Sequence, residues 1–345
     1  MNDKPIDSAV TSTGAAADIP RSNAGVTGGP VGGAATAGTT GAASTRAVQE
    51  RAVSERTASE RAVSEAGDIT TSALAIRGLV KRFPGFTLDG IDLDVPRGYV
   101  VGLVGANGSG KTTTIGAAIG TIVPDEGQIA VPPMDRVGVV LDTPYFMRSW
   151  TPGRIEQAVR PFYPAWSEDR YRDLLARFRI RTSMRLKDLS RGQGKKLQAA
   201  VALAHDPELL ILDEPTAGLD PLARDEFLDV VAEFMEDEAH AVLFSSHITS
   251  DLERVADYVT VLDHGRVVTS APTHDLIDGF RVVRGGVRGL TDDMRRAMYG
   301  FRLYSAGFEG LARTEEAATW RGDLVCDPPT LDQIVVGVAK GRPSS

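Results

Sequence analysis

The stretch Gly105-Ala106-Asn107-Gly108-Ser109-Gly110-Lys111-Thr112 directly follows an apolar run over residues 99–104. It fits G-x-x-x-x-G-K-[ST], and it sits between an expected strand and an expected helix, as that pattern requires. A chain built this way is confined to an α/β fold in which a buried parallel strand hands a loop to a helix N-terminus. Glycines let the loop curl so that its N–H groups converge, and the helix start adds the positive end of its dipole. Such a spot suits phosphate. Lys111 reaches the β- and γ-phosphates of a nucleoside triphosphate as a point charge, and the Thr112 hydroxyl is a ligand for Mg²⁺. Chance is the competing explanation, and the strand-to-helix context counts against it.

Two further motifs belong with this one. In Leu209-Leu210-Ile211-Leu212-Asp213-Glu214, four apolar residues bury a strand and push two acids out at its C-terminal end. Open α/β sheets bind ligands at that end. Asp213 suits Mg²⁺, and Glu214, pointing elsewhere, can accept a proton from an attacking water. Taken alone, the acids also read as an N-cap pair ahead of Pro215. Leu189-Ser190-Arg191-Gly192-Gln193 opens a helix, so its free N–H groups form a second anion site. One chain has no evident use for two such sites; a dimer that exchanges them does.

The remaining pattern alternates strands and helices. Leu74, Ile76 and Leu79, then Leu88, Ile91, Leu93 and Val95, read as strands. Helices are expected over 110–120 and 190–204, after a Ser167 cap, and after Asp220-Pro221 as N-cap and first helical position. Residues 241–245 form a further strand, and His264-Gly265 turns a hairpin between 258–262 and 266–269. Residues 331–338 read equally as an amphipathic helix or a strand. A mainly parallel sheet covered on both faces follows.

Composition sets the outer limits. Residues 11–45 are dominated by Gly, Ala, Thr and Ser and hold too little apolar surface to offset their ordering entropy. A five-residue repeat follows, Arg46-Ala47-Val48-Gln49-Glu50 through Arg61-Ala62-Val63-Ser64-Glu65, matching neither the helix nor the heptad period. Residues 1–72 are therefore expected to be a disordered tail, with a partner-binding tail as the alternative. Residues 73–275 form the main domain, with a helical subdomain at about 143–200, and 276–345 a small appendage. The net charge of −8 argues against a nucleic-acid partner. One cysteine, Cys326, precludes a disulfide framework and suits a reducing compartment. The start of the chain carries no secretory signal, and no run of about 18 apolar residues would span a bilayer. Any pore must come from another chain.

The order P-loop, L-S-x-G-Q, apolar run with Asp-Glu, and a later lone histidine resembles the ABC ATPase family over residues 74–271. The resemblance implies an α/β P-loop fold with a mainly parallel core sheet, an antiparallel β subdomain and a helical subdomain. It implies two ATP molecules held between head-to-tail subunits. Gly105, Asn107, Gly108, Ser109, Gly110, Lys111, Thr112 and Thr113 would bind nucleotide in cis, while Ser190, Gly192, Gln193 and Asp220 would bind in trans. Glu214 and His247 would be catalytic, and Thr112, Asp213 and Asp142 would hold Mg²⁺. Phe83 matches the aromatic that stacks on adenine, with a core aromatic as the alternative.

Two positions depart from the family pattern. Arg191 replaces a glycine of L-S-G-G-Q. Asp142 stands where a glutamine normally senses Mg²⁺ and the membrane subunit, and an ionised carboxylate cannot donate a hydrogen bond. Residues 162–166, 195–197 and 246–252 resemble a bacterial exporter branch that pairs with ABC-2 permeases. The expected activity is ATP hydrolysis powering export, with ATP and Mg²⁺ as cofactors. The expected partners are a second ATPase subunit, identical or not, and an integral-membrane permease. The location would be the cytoplasmic membrane face. The alternative is a soluble ABC ATPase acting on ribosomes or DNA.

Overall fold

Alternating apolar residues give the first hairpin its buried face. Leu74, Ile76 and Leu79 lie on β1 (Ser72–Phe83), and Leu88, Ile91, Leu93 and Val95 on β2 (Phe86–Pro96); all seven are buried. The strands pair antiparallel, with Ile76 opposite Leu93 and Leu79 opposite Ile91. The structure is a computed structural model that describes residues 72–342. The expected tail and its five-residue repeat lie outside the described residues.

β3 (Val100–Val104) leads through the glycine loop into α1 (Lys111–Ala118). β4 (Glu126–Ala130), which the sequence pattern did not signal, joins β1 on its other side and completes a three-stranded antiparallel sheet of order β2-β1-β4. β5 (Val137–Val140) precedes three helices, α2 (Pro152–Val159), α3 (Glu168–Arg177) and α4 (Arg191–Leu203). Then come β6 (Leu209–Asp213), α5 (Pro221–Phe234), β7 (Ala241–Ser246), α6 (Thr249–Val255), β8 (Tyr258–Asp263) and β9 (Arg266–Pro272). The central sheet runs β5-β6-β7-β3-β8-β9; its first five strands are parallel and β9 is antiparallel.

Side-chain alternation along the parallel strands feeds two separate cores, as expected for a sheet covered on both faces. Val101, Leu103, Leu209, Ile211 and Leu243 pack with β1, β2 and Ile115 of α1. Val100, Val104, Leu210, Leu212, Val242 and Phe244 pack on the opposite face with residues of α4 and α5. Helix starts follow the capping signals. Ser167, Ser190 and Asp220 each accept a hydrogen bond from the backbone N–H three residues on, and Ser190 and Gln193 complete a capping box. The His264-Gly265 turn has positive φ at both residues, the geometry that closes a two-residue hairpin.

The C-terminal region is more ordered than its weak pattern suggested. α7 (Thr273–Asp278) straddles the expected boundary at 276 and leads into β10 (Phe280–Gly285), α8 (Asp292–Ala297), β11 (Tyr299–Leu303), β12 (Phe308–Arg313), α9 (Thr314–Thr319), β13 (Leu324–Asp327) and α10 (Leu331–Lys340). The strands form an antiparallel sheet of order β11-β12-β10-β13. Residues 331–338, left open between helix and strand, are helical, with Thr330 and Gln333 forming a capping box. Phe280, Val282, Leu311, Leu331 and Ile334 join the helix-side core of the central sheet. Val283, Met294, Met298 and Phe308 form a smaller core of their own.

Two outcomes follow from this packing. Ile334→Ala removes a fully buried side chain from the shared core. It should lower stability by about 2–5 kcal/mol and shift the unfolding of the central sheet with it in a thermal melt. His205 is buried against Tyr163, ring centroids 4.1 Å apart, and burial pushes its imidazole down to about 4 from an ordinary 6.5. The unfolded chain protonates first, so this residue's contribution is complete above pH 6.5 and is lost as pH falls toward 4. The loss should reach about 3 kcal/mol, and His205→Gln should flatten it in denaturant titrations across that range.

Candidate active site

The glycine loop is shaped by what surrounds it. Gly110 sits at φ +115°, where a Cβ would lie 2.5 Å from Leu88 Cδ2 and 3.1 Å from Phe86 Cζ. At Gly105 a Cβ would fall 2.2 Å from the Leu262 carbonyl oxygen. The β8–β9 turn closes the far side: the Gly265 N–H donates to the Ser109 carbonyl at 2.9 Å. Within the loop, Lys111 is buried and its ammonium donates to the carbonyls of Gly105 (2.8 Å) and Ala106 (3.3 Å). Ser109 Oγ is buried and has no hydrogen-bond partner among the described residues. A charged amine resting on loop carbonyls and an orphaned hydroxyl both fit a loop made for an anionic ligand.

Beside it, the Thr112 hydroxyl donates to Asp213 Oδ2 at 3.0 Å, and Ser245 donates to Asp213 Oδ1 at 2.6 Å. These hard oxygen donors match what Mg²⁺ takes when a phosphate supplies the rest of its shell. Glu214 follows with φ +49°, left-handed backbone that costs a non-glycine residue about 1–3 kcal/mol. The two carboxylates have different partners. Its Oε2 meets His247 Nδ1 at 2.6 Å, and its Oε1 lies 3.6 Å from Lys111 Nζ. The backbone is held as well: the Glu214 N–H donates to the Ser245 carbonyl (3.1 Å) and to Ser245 Oγ (3.3 Å). The Lys195 ammonium donates to the Glu214 carbonyl oxygen.

A cavity of about 420 Å³ opens here, lined by Phe86, Asn107, Gly108, Gly110, Lys111, Thr112, Thr113, Asp142 and Glu214. The aromatic on this wall is Phe86. The expected Phe83 is not among the lining residues; it is 41% exposed on the neighbouring strand end, with Lys81 Nζ 5.8 Å from its ring centroid.

Asp142 also differs from expectation. Its carboxylate accepts from Arg191 Nη2 at 2.8 and 3.0 Å and from Lys195 Nζ at 2.9 Å. Burial alone would raise its pKa; the hydrogen bond and charge of Lys195, then those of Arg191, outweigh that and hold the carboxyl below its ordinary range. Expected as a Mg²⁺ ligand, Asp142 lines the glycine-loop cavity and is paired there with two cations. The two departures from the family pattern are thus partners, one answering the other.

A second cavity, of about 680 Å³, is lined by Ser190, Arg191, Gly192, Gln193, Gly218 and Asp220 among others. Ser190, Gly192, Gln193 and Asp220 are brought together there, at the N-terminus of α4, and none of them lines the glycine-loop cavity. Sequence reading missed Ser245, Lys195 and Phe86. Ser245 carried a signal, a hydroxyl ending the apolar run 241–244; Lys195 carried none that set it apart from Arg191 and Lys196 on the same helix.

Comparisons with known proteins agree with this geometry. The model of the ABC transporter family matches residues 88–217, a span that holds the glycine loop, the Ser190 turn and both acids. The chain is 34% identical over 227 residues to the Nod factor export ATP-binding protein I of Cupriavidus pinatubonensis, covering 60% of this chain and 69% of that one. It is 32% identical over 222 residues to the daunorubicin/doxorubicin resistance ATP-binding protein of Streptomyces peucetius, covering 60% and 67%. A solved ATP-binding subunit of an ABC transporter superposes with a TM-score of 0.55 at 29% identity, over 59% of this chain and 92% of that one. With a glycine loop, paired acids and a histidine on one sheet edge and these relatives, the chain belongs to the ATP-hydrolysing subunits of ABC transporters.

Proposed function

We propose that this chain powers export of a substrate through a separately encoded membrane permease, with Glu214 as the general base for ATP hydrolysis. One observation carries the reading: the Glu214 carboxylate bridges His247 and the Lys111 ammonium at the mouth of the glycine-loop cavity. A carboxylate in that position can take a proton from a water beside a phosphate that Lys111 holds. His247 fixes the carboxylate through one oxygen and leaves the other facing the cavity. The loop amides and Lys111 would bind the β- and γ-phosphates of ATP. Thr112 and Asp213 are the residues that would hold Mg²⁺, which supplies charge neutralisation on the phosphates when bound.

The Ser190 turn is the basis for a dimer. Its helix start and the Asp220 cap border a cavity apart from the glycine loop, so one nucleotide cannot use both in a single chain. A second subunit offering this turn to the nucleotide completes the site in trans. Export is the direction indicated by relatives whose names specify Nod factor export and drug resistance. Among the described residues no helix is long and apolar enough to cross a membrane. A permease would therefore hold this subunit at the cytoplasmic membrane face, and no nucleic-acid partner is required. Residues 73–275 would form the ATPase domain.

Glu214→Gln keeps the side-chain shape and removes the base. Steady-state hydrolysis should fall by about 10²–10⁴-fold while ATP still binds, and light scattering should find an ATP-dependent dimer. Turnover at the parent rate would sink the role given to Glu214.

A further inference from the structure

α4 carries a polar stripe on the face it turns to the end of β5. Arg191, Lys195 and Gln198 are spaced i, i+4 and i+7, and so share one side of the helix. Gln198 pairs with the Leu141 backbone in both directions, accepting from its N–H at 3.2 Å and donating to its carbonyl at 3.0 Å. That fixes the chain just before Asp142. Arg191 and Lys195 then take the Asp142 carboxylate itself. Arg191 is 61% exposed at its side chain, whereas Lys195 is fully buried.

A fully buried ammonium is costly unless it is hydrogen-bonded and its charge finds a counter-ion. Lys195 has two acceptors: Asp142, which supplies the counter-charge, and the Glu214 carbonyl oxygen. That carbonyl belongs to the residue held in left-handed backbone, whose N–H is tied to Ser245 on the other side. A left-handed residue persists only where its surroundings over-determine it. Ser245 secures the amide and Lys195 the carbonyl; together they fix the peptide planes flanking Glu214 and thereby aim its side chain between Lys111 and His247.

We infer that Lys195, neutralised by Asp142, is a positioning residue that holds Glu214 in its working backbone conformation. This rests on the reading of Glu214 as the general base. It gives Asp142 a task unlike that of a Mg²⁺-sensing glutamine: its charge allows a cation to be buried against the backbone of the catalytic strand end. It also ties the helix that begins at the Ser190 turn to the Glu214 backbone through a single side chain.

The test compares full-length Lys195→Met, Asp142→Leu/Lys195→Met and Glu214→Gln with the parent. For each, kcat is measured per competent site, counted by titration with a non-hydrolysable ATP analogue, together with the ATP KM and the thermal unfolding midpoint. Lys195→Met should lower kcat by about 10–100-fold with KM held within about twofold. The double variant removes the buried cation together with its half-exposed counter-charge, should recover the unfolding midpoint, and should stay slow. If Lys195→Met is too unstable to assay, the double variant alone decides. A double variant with the parent kcat would mean that Lys195 serves only to offset Asp142, and would overturn the proposal, as would parent-like kcat in Lys195→Met. Full turnover in Glu214→Gln would instead remove the reading of Glu214 beneath it, whatever Lys195→Met does.

Discussion

Four parallel strands end level with one another, and the site depends on that register. Val104 lies opposite Ser246, Asp213 opposite Ser245, and Val140 opposite Leu212. The glycine loop, Asp213 with Glu214, Ser245 with His247, and Asp142 therefore leave the sheet at the same height on one edge. A single-residue slip in any pairing would turn every side chain of that strand to the other face. It would also exchange its two cores, since alternate residues of these strands pack on opposite sides. Hydrophobic burial on both faces thus fixes where the polar ends meet.

Much of this was legible because each motif stands where an element changes type. The strand before Gly105, the helix after Lys111, the caps at Ser167, Ser190 and Asp220 and the turn at His264-Gly265 all carry local signals with a local cause. What stayed hidden depends on contacts between distant segments. β4 is short and largely exposed, so its sequence shows little apolar alternation. The C-terminal strands are interrupted by short helices and share their burial between two cores, which blurs a period of two.

The site follows the same division. The residue types at 105–112 and 209–214 announced phosphate and metal chemistry. Asp142 and Arg191 looked like independent anomalies because they are 49 positions apart, and only the packing of α4 against the end of β5 joins them. For Phe83 and Phe86, three positions apart, spacing alone did not separate the residue on the cavity wall from the one on the outer strand end. Lys195 could not be found from sequence, because a buried lysine is read as a surface one until its counter-ion is seen.

The contact of the Gly265 amide with the Ser109 carbonyl has a consequence for the order of folding. The glycine loop is encoded within eight consecutive residues, yet part of its wall comes from a turn more than 150 positions downstream. Loop closure over such a separation is slow compared with forming α1 or the β1–β2 hairpin. The far wall of the loop therefore depends on long-range pairing, of β8 with β3 and of β9 with β8. A chain that still lacks the β8–β9 hairpin would carry the whole glycine-loop sequence without this wall of its pocket.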